Sequence, residues 1–120
     1  MYVSFNDAIH VGLCAGRHEI PVDEYIFDSI PNPSDIEGVS RQAESWVYSK
    51  CGVHAAYSSA INQIEDGDAL CRVGSPLVVY VTGLTVACTA VIRACALYGV
   101  PLVLMHYNRN TGEYDQQRIL

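Results

Sequence analysis

Apolar and polar positions along this chain fall into blocks, and the clearest block runs from Pro76 to Asn108. Leu77-Val78-Val79-Tyr80-Val81 is an unbroken, β-branched apolar run between Pro76 and Thr82-Gly83, the pattern of a strand buried on both faces. Gly83 ends that run, and Thr82 or Thr85 offers a hydroxyl to cap the helix that follows. The apolar segment Val86–Tyr98 reads as this helix. Gly99 terminates it, and Pro101 keeps the chain from resuming it before a second apolar strand reaches Asn108. Together these pieces predict one βαβ unit with a right-handed crossover.

The faces of the predicted helix carry a further expectation. Thr85, Thr89 and Arg93 stand four apart and make one narrow polar stripe, whereas the remaining positions are apolar and mostly small. A helix that is apolar most of the way round has to be covered on more than one side. The sheet covers one side. A second subunit or another helix of the same chain covers the other, and the first alternative predicts a homodimer or higher homo-oligomer.

Elsewhere the pattern is shorter-ranged. Ala8–Cys14 alternates as a strand and leaves through Ala15-Gly16-Arg17-His18-Glu19, and Tyr25-Ile26-Phe27 reads as a short edge strand. Ile20 before Pro21 is extended, and Ser29–Pro33 is a loop with two prolines. Ser34-Asp35-Ile36-Glu37 matches a capping box for a helix reaching about Lys50, although Gly38 follows. Gly52 separates it from a second predicted helix, in which Tyr57, Ala60, Ile61 and Ile64 recur at helical spacing; Glu65-Asp66-Gly67-Asp68 ends that helix. After the βαβ unit, Arg109–Glu113 reads as a turn into a last strand, Tyr114 to Ile119. The expected fold is a single α/β domain over residues 1–120, a small Rossmann-like three-layer arrangement with a mainly parallel central sheet and a C-terminal hairpin.

Composition narrows the function. A chain of 120 residues, half of them apolar, builds one globular core and not two. No apolar run approaches the roughly 20 residues that span a bilayer, and the N-terminus lacks a charged-then-apolar leader, so a cytoplasmic protein with no membrane partner is expected. Its five cysteines (Cys14, Cys51, Cys71, Cys88 and Cys95) are expected to be reduced, with Cys88 and Cys95 acting as small apolar fillers among alanines. A net charge of −6 argues against duplex nucleic acid as a partner, because that binding needs a basic face. A small anion stays compatible with it, since a few arginines and helix amides set a local potential.

In an open α/β sheet, ligands bind beyond the carboxyl ends of the strands. Three strand exits turn polar at that point: Gly16-Arg17-His18-Glu19, Thr82-Gly83-Leu84-Thr85 and His106-Tyr107-Asn108-Arg109. If the strands are parallel, all three lie on one edge. Helix amides, two threonine hydroxyls, Arg17 and Arg109 would then suit phosphate. His18, His106 and Tyr107 would stack on, or hydrogen-bond to, a base or ribose. Other chemistries lack their signatures. There is no Cys-x-x-Cys pair for structural zinc, no Cys-x5-Arg phosphatase loop and no Gly-x-Ser-x-Gly elbow, so neither a metal nor a cofactor is expected.

An apolar strand ending in Thr82-Gly83-Leu84-Thr85, then an alanine-rich helix, a glycine, and a strand ending in a polar aromatic cluster resembles the CRISPR-associated Rossmann-fold (CARF) domains. The likeness covers Leu77 to Arg109, with an echo at Gly16-Arg17. It implies a symmetric dimer that binds a cyclic oligonucleotide messenger, with Thr82, Gly83 and Thr85 on its phosphates. The family commonly has glycine where Leu84 stands and lysine where Val86 stands. Losing that lysine removes a phosphate contact and, in members that cleave their messenger, a candidate catalytic charge. The resemblance therefore implies a stand-alone binder or sponge, of the kind some phage anti-defence proteins are, with no catalytic residue assigned. Two alternatives remain: a small metal-independent ring nuclease using His18 or His106, and a protein-interaction module with no small ligand.

Overall fold

The computed structural model describes residues 8–16, 19–52 and 75–120. The apolar runs form β1 (Ile9–Cys14), β2 (Tyr25–Phe27), β3 (Leu77–Tyr80) and β4 (Leu102–Asn108), and the chain closes with β5 (Glu113–Arg118). Helix α1 (Ile36–Lys50) follows β2, and α2 (Thr85–Tyr98) joins β3 to β4. All strands belong to one five-stranded sheet of order β2-β1-β3-β4-β5. β1 through β4 pair in parallel, and β5 returns antiparallel along β4 as the expected hairpin.

Register decides which side chains reach the core. Ile9, Leu77 and Leu102 stand in one row, and Val11, Val79 and Leu104 in the next row on the same face. Over this face lie Val39, Ala43 and Val47 of α1 and Ala87, Ala90, Val91, Ala94 and Cys95 of α2, which join the strand residues in one buried cluster. Each fully buried Val or Leu contributes about 1.5–3 kcal/mol, so among the described residues this layer holds most of the apolar stabilisation. Among the described residues the arrangement is therefore two layers, a helix pair on one face of the sheet. The helix expected around Tyr57–Ile64 lies outside the described residues.

The second side of α2 is covered from within the chain. α1 packs along it, with small side chains at buried positions of both helices allowing close approach. The contact is fastened at its rim by the Arg93 guanidinium donating to Glu44 at 2.8 Å and by an edge-to-face pair of Tyr48 and Tyr98, centroids 5.4 Å apart. Of the two covers weighed from the sequence, the intramolecular one is present. Leu97 remains the large apolar residue of α2 left outside it, 58% exposed.

Helix ends correct two details. Asp35, and not Ser34, is the N-cap of α1, its carboxylate accepting from the Gly38 N–H at 3.0 Å. A Cβ on Gly38 would come within 2.8 Å of the Asp35 carboxyl carbon, so the glycine makes room for the cap and there is no capping-box glutamate at that position. At α2 the N-cap is Leu84, extended at φ −77°, ψ 134°, with no side-chain cap. Neither Thr82 nor Thr85 fills that role: Thr82 precedes the cap by two residues and Thr85 is already the first helical residue. The C-terminus of α2 matches expectation, Gly99 being left-handed at φ 67°, ψ 28°. No described helix is long and apolar enough to cross a membrane.

Candidate binding edge

Because β1, β3 and β4 are parallel, their carboxyl ends lie on one edge. β2 flanks β1 on one side and β3 on the other, so the strand order reverses between β1 and β3, where open α/β sheets hold their ligands. Thr82 occupies that point. Its hydroxyl accepts from the Cys14 N–H at 3.0 Å and donates to the Cys14 carbonyl at 2.8 Å, and the residue is 2% exposed. The side chain thus continues the β1–β3 ladder past its last pair, Gly12 with Tyr80. A hydroxyl committed in both directions inside the protein positions the edge; its proton is not offered to solvent.

Gly83 follows, exposed and left-handed at φ 80°, a conformation that turns the chain sharply from strand to helix. Leu84 and the exposed Thr85 then open α2. The first amides of a helix have no intrahelical acceptor, and here no side chain caps them. Beside them is a half-open cleft of about 110 Å³, lined by Cys14, Ala15, Phe27, Ser29, Ile30, Pro33 and Leu84. Gly16, at the β1 exit, is left-handed at φ 76° and faces open space. Arg17 and His18, expected to complete this exit, lie outside the described residues.

The third exit is divided by strand alternation. His106 and Asn108 share the face of Leu104, and both are engaged within the hairpin. His106 Nε2 pairs with Gln117 Oε1 at 2.7 Å; Asn108 donates to Asp115 at 2.9 Å and accepts from the Asn110 N–H at 2.9 Å. Tyr107 projects to the opposite face, 49% exposed, where its ring meets Tyr114 at 5.5 Å and Tyr114 meets Tyr80 at 5.0 Å, both edge-to-face. Desolvation first, and then the neighbouring hydroxyls of Tyr107, Tyr80 and Tyr25, raise the Tyr114 phenol above its ordinary range. Arg109 is exposed in the hairpin turn. β4 runs three residues past its pairing with Tyr80, so the hairpin projects about 10 Å beyond the β3 end. The edge therefore gathers Thr82, Gly83, Leu84 and Thr85 with Ala15 and Gly16, and sets His106, Asn108 and Arg109 to one side.

Sequence reading did not find the cleft walls Phe27, Ile30 and Pro33, which come from a segment that reads only as edge strand and loop. Nor did it find the partnership of Tyr107 with Tyr114 and Tyr80. That one was accessible: pairing the hairpin about its turn sets Tyr107 opposite Tyr114. The described thiols with shifted acidity are held protonated, Cys88 in the first turn of α2 and Cys51 and Cys95 at the far ends of the helices, away from the edge. Burial raises Cys88, and it pushes Cys51 and Cys95 up to about 12. Comparison with protein-family models, with curated proteins and with solved structures finds no match for this chain.

Proposed function

We propose that this chain is a small Rossmann-like domain that binds a nucleotide-type anionic messenger, of the cyclic-oligonucleotide class, at the carboxyl edge of its sheet and holds it without turnover. The observation that carries the reading is the uncapped N-terminus of α2 at the reversal of strand order, next to Gly83 and a cleft. Backbone amides and the positive end of a helix at such a point suit a phosphate group, and an exposed glycine turn lets it approach the backbone. Arg17 and Arg109 are the cations proposed to meet the remaining charge.

Holding is favoured over cleaving by how the reactive groups are used. Opening a phosphodiester without metal requires an activated nucleophile, an acid or base, and a cation at the developing charge. The Thr82 hydroxyl is bound to Cys14, the Thr89 hydroxyl to carbonyls of its own helix, and the His106 ring, on the hairpin to one side, to Gln117. The test is retention. The protein is incubated with a panel of cyclic di- and oligonucleotides, desalted, heated, and the released ligand weighed by mass spectrometry. An intact messenger supports this reading. A linearised one that depends on His18 or His106 replaces it with a ring nuclease, and silence across the panel replaces it with a protein-interaction module.

A further inference from the structure

β5 ends the sheet, and its far side pairs with no other strand among the described residues. The alternation of hydrogen bonds fixes which backbone groups that side holds. The Val81 N–H donates to the Met105 carbonyl and the Ile119 N–H to the Leu102 carbonyl, so odd-numbered residues of β4 serve β3 and even-numbered ones serve β5. Opposite Leu104 and His106 stand Gln117 and Asp115, which therefore bond inward. Tyr114 and Gln116 turn their N–H and carbonyl groups outward. Such a row is a template for one more strand. β2, the other edge, is 3 residues long; β5 has 6, in an unbroken ladder with no proline, glycine or bulge to blunt it. We propose that the open side of β5 docks an extended segment of another protein in which basic and apolar residues alternate.

The two faces of β5 select that segment. Glu113 and Asp115 belong to one face, and both are exposed. The Glu113 carboxylate has no ion-pair or hydrogen-bond partner among the described residues, and Asp115 keeps one oxygen beyond the one that accepts from Asn108. Tyr114 belongs to the other face, in edge-to-face contact with Tyr80 and Tyr107. A strand laid beside β5 places its own residues on these two faces in turn. Opposite the acids, Lys or Arg forms cross-strand ion pairs; opposite Tyr114, a β-branched residue packs on the ring. Arg118, the one cation of β5, lies on the tyrosine face and donates through Nε to the Leu120 carbonyl. A second copy of the chain is the poorer occupant. Paired antiparallel, it would add two more acids and no cation to the acidic face, and like charges across a pair are destabilising. The net charge of −6 likewise draws a cationic partner. In this mode main-chain bonds supply the affinity and alternate side chains the selection. The inference stands whether or not the carboxyl edge holds a phosphate.

The test titrates the full chain with a synthetic peptide of alternating lysine and valine, followed by amide NMR and hydrogen exchange. Saturable shifts should centre on Tyr114 and Gln116, and the peptide should slow exchange at those two amides. N-methylating one alternate set of the peptide's amides should abolish binding, and methylating the other set should spare it. A glutamate–valine peptide should bind at least tenfold more weakly. Gln116→Pro removes an N–H that the β4 ladder does not use, so the fold should stand while affinity falls by about tenfold or more. Glu113→Lys, which alters no described contact of that side chain, should weaken binding about threefold to tenfold, and it serves if the proline variant does not fold. The proposal is overturned by an absence of saturable binding, by shifts centred elsewhere, by equal affinity for the glutamate–valine peptide, or by indifference to which amides are methylated. Protection of the Tyr114 and Gln116 amides that rises with protein concentration, with no peptide present, overturns it in favour of a second copy.

Discussion

Replacing Thr82 with valine keeps the volume of the side chain and removes the hydroxyl that bonds the end of β3 to Cys14. Two hydrogen bonds go, at 3.0 and 2.8 Å, both to the backbone of Cys14. A net hydrogen bond is worth about 0.5–1.5 kcal/mol, so losing two should make Thr82→Val destabilise by about 1–3 kcal/mol. Thr82→Ser keeps both bonds and loses one methyl, worth about 1 kcal/mol. Urea unfolding read by fluorescence of Trp46, the single tryptophan, which packs against the core, measures both. With a slope of about 1–3 kcal/mol per molar urea, the valine midpoint should fall by about 0.5–1.5 M and the serine midpoint by clearly less. If valine unfolds within about 0.5 kcal/mol of wild type, or serine is as damaged as valine, the hydroxyl does not hold the strand ends together.

Three further outcomes follow from the same structure. Asp35→Ala should cost about 1 kcal/mol through loss of the α1 cap, and Asp35→Asn much less, both read from thermal unfolding by circular dichroism. Cys51 and Cys95 keep their protons up to about 12 when folded against an ordinary value of 9.0, so unfolding releases protons above pH 9. Their contribution is intact below pH 9 and lost as pH rises from 9 toward 12, on the order of 1.4 kcal/mol per pH unit for each fully protected thiol. Cys51→Ala and Cys95→Ala should each flatten that alkaline decline, and native protein should shield both thiols from iodoacetamide at pH 8. The proposed homo-oligomer, for which the exposed Leu97 beside the α1–α2 contact is the candidate surface, should appear by light scattering at micromolar concentration, and a 13.1 kDa monomer would refute it.

Much of the fold was legible because its signals are local. The apolar run from Leu77, the turn at Gly83 and the stop at Gly99 each follow from side-chain branching or glycine freedom and stand where the pattern places them, and the last strand, expected at Tyr114 to Ile119, runs one residue earlier, Glu113–Arg118. The cap of α1 shifted by one residue because Gly38, which weakens a capping box, favours closure onto Asp35 instead. What covers α2 could not be read from α2 itself: its apolar circumference demands a cover without naming one, and the amphipathic face of α1 supplied it. The site was legible at the level of strand ends and less so at the level of atoms. A threonine at a strand exit looks available in sequence, but the sheet register brings Cys14 to Thr82 across 68 residues and takes up its hydroxyl. His106 and Tyr107 are adjacent in sequence and opposite in space, the ordinary consequence of a period of two.

The central claim, that an anion is held by the start of α2, is tested most directly by Thr85→Glu. A carboxylate in the first turn suits the helix dipole and should leave stability unchanged or raise it by about 0.3–1 kcal/mol. The same charge opposes a bound phosphate, and at about 4 Å with an effective dielectric near 20 the repulsion is on the order of 4 kcal/mol. Retention of a cyclic-oligonucleotide probe held by the wild-type protein should therefore fall by about a hundredfold or more, in a variant that melts no lower than wild type. Undiminished retention by a folded Thr85→Glu, or no probe held by the wild type, would contradict the account.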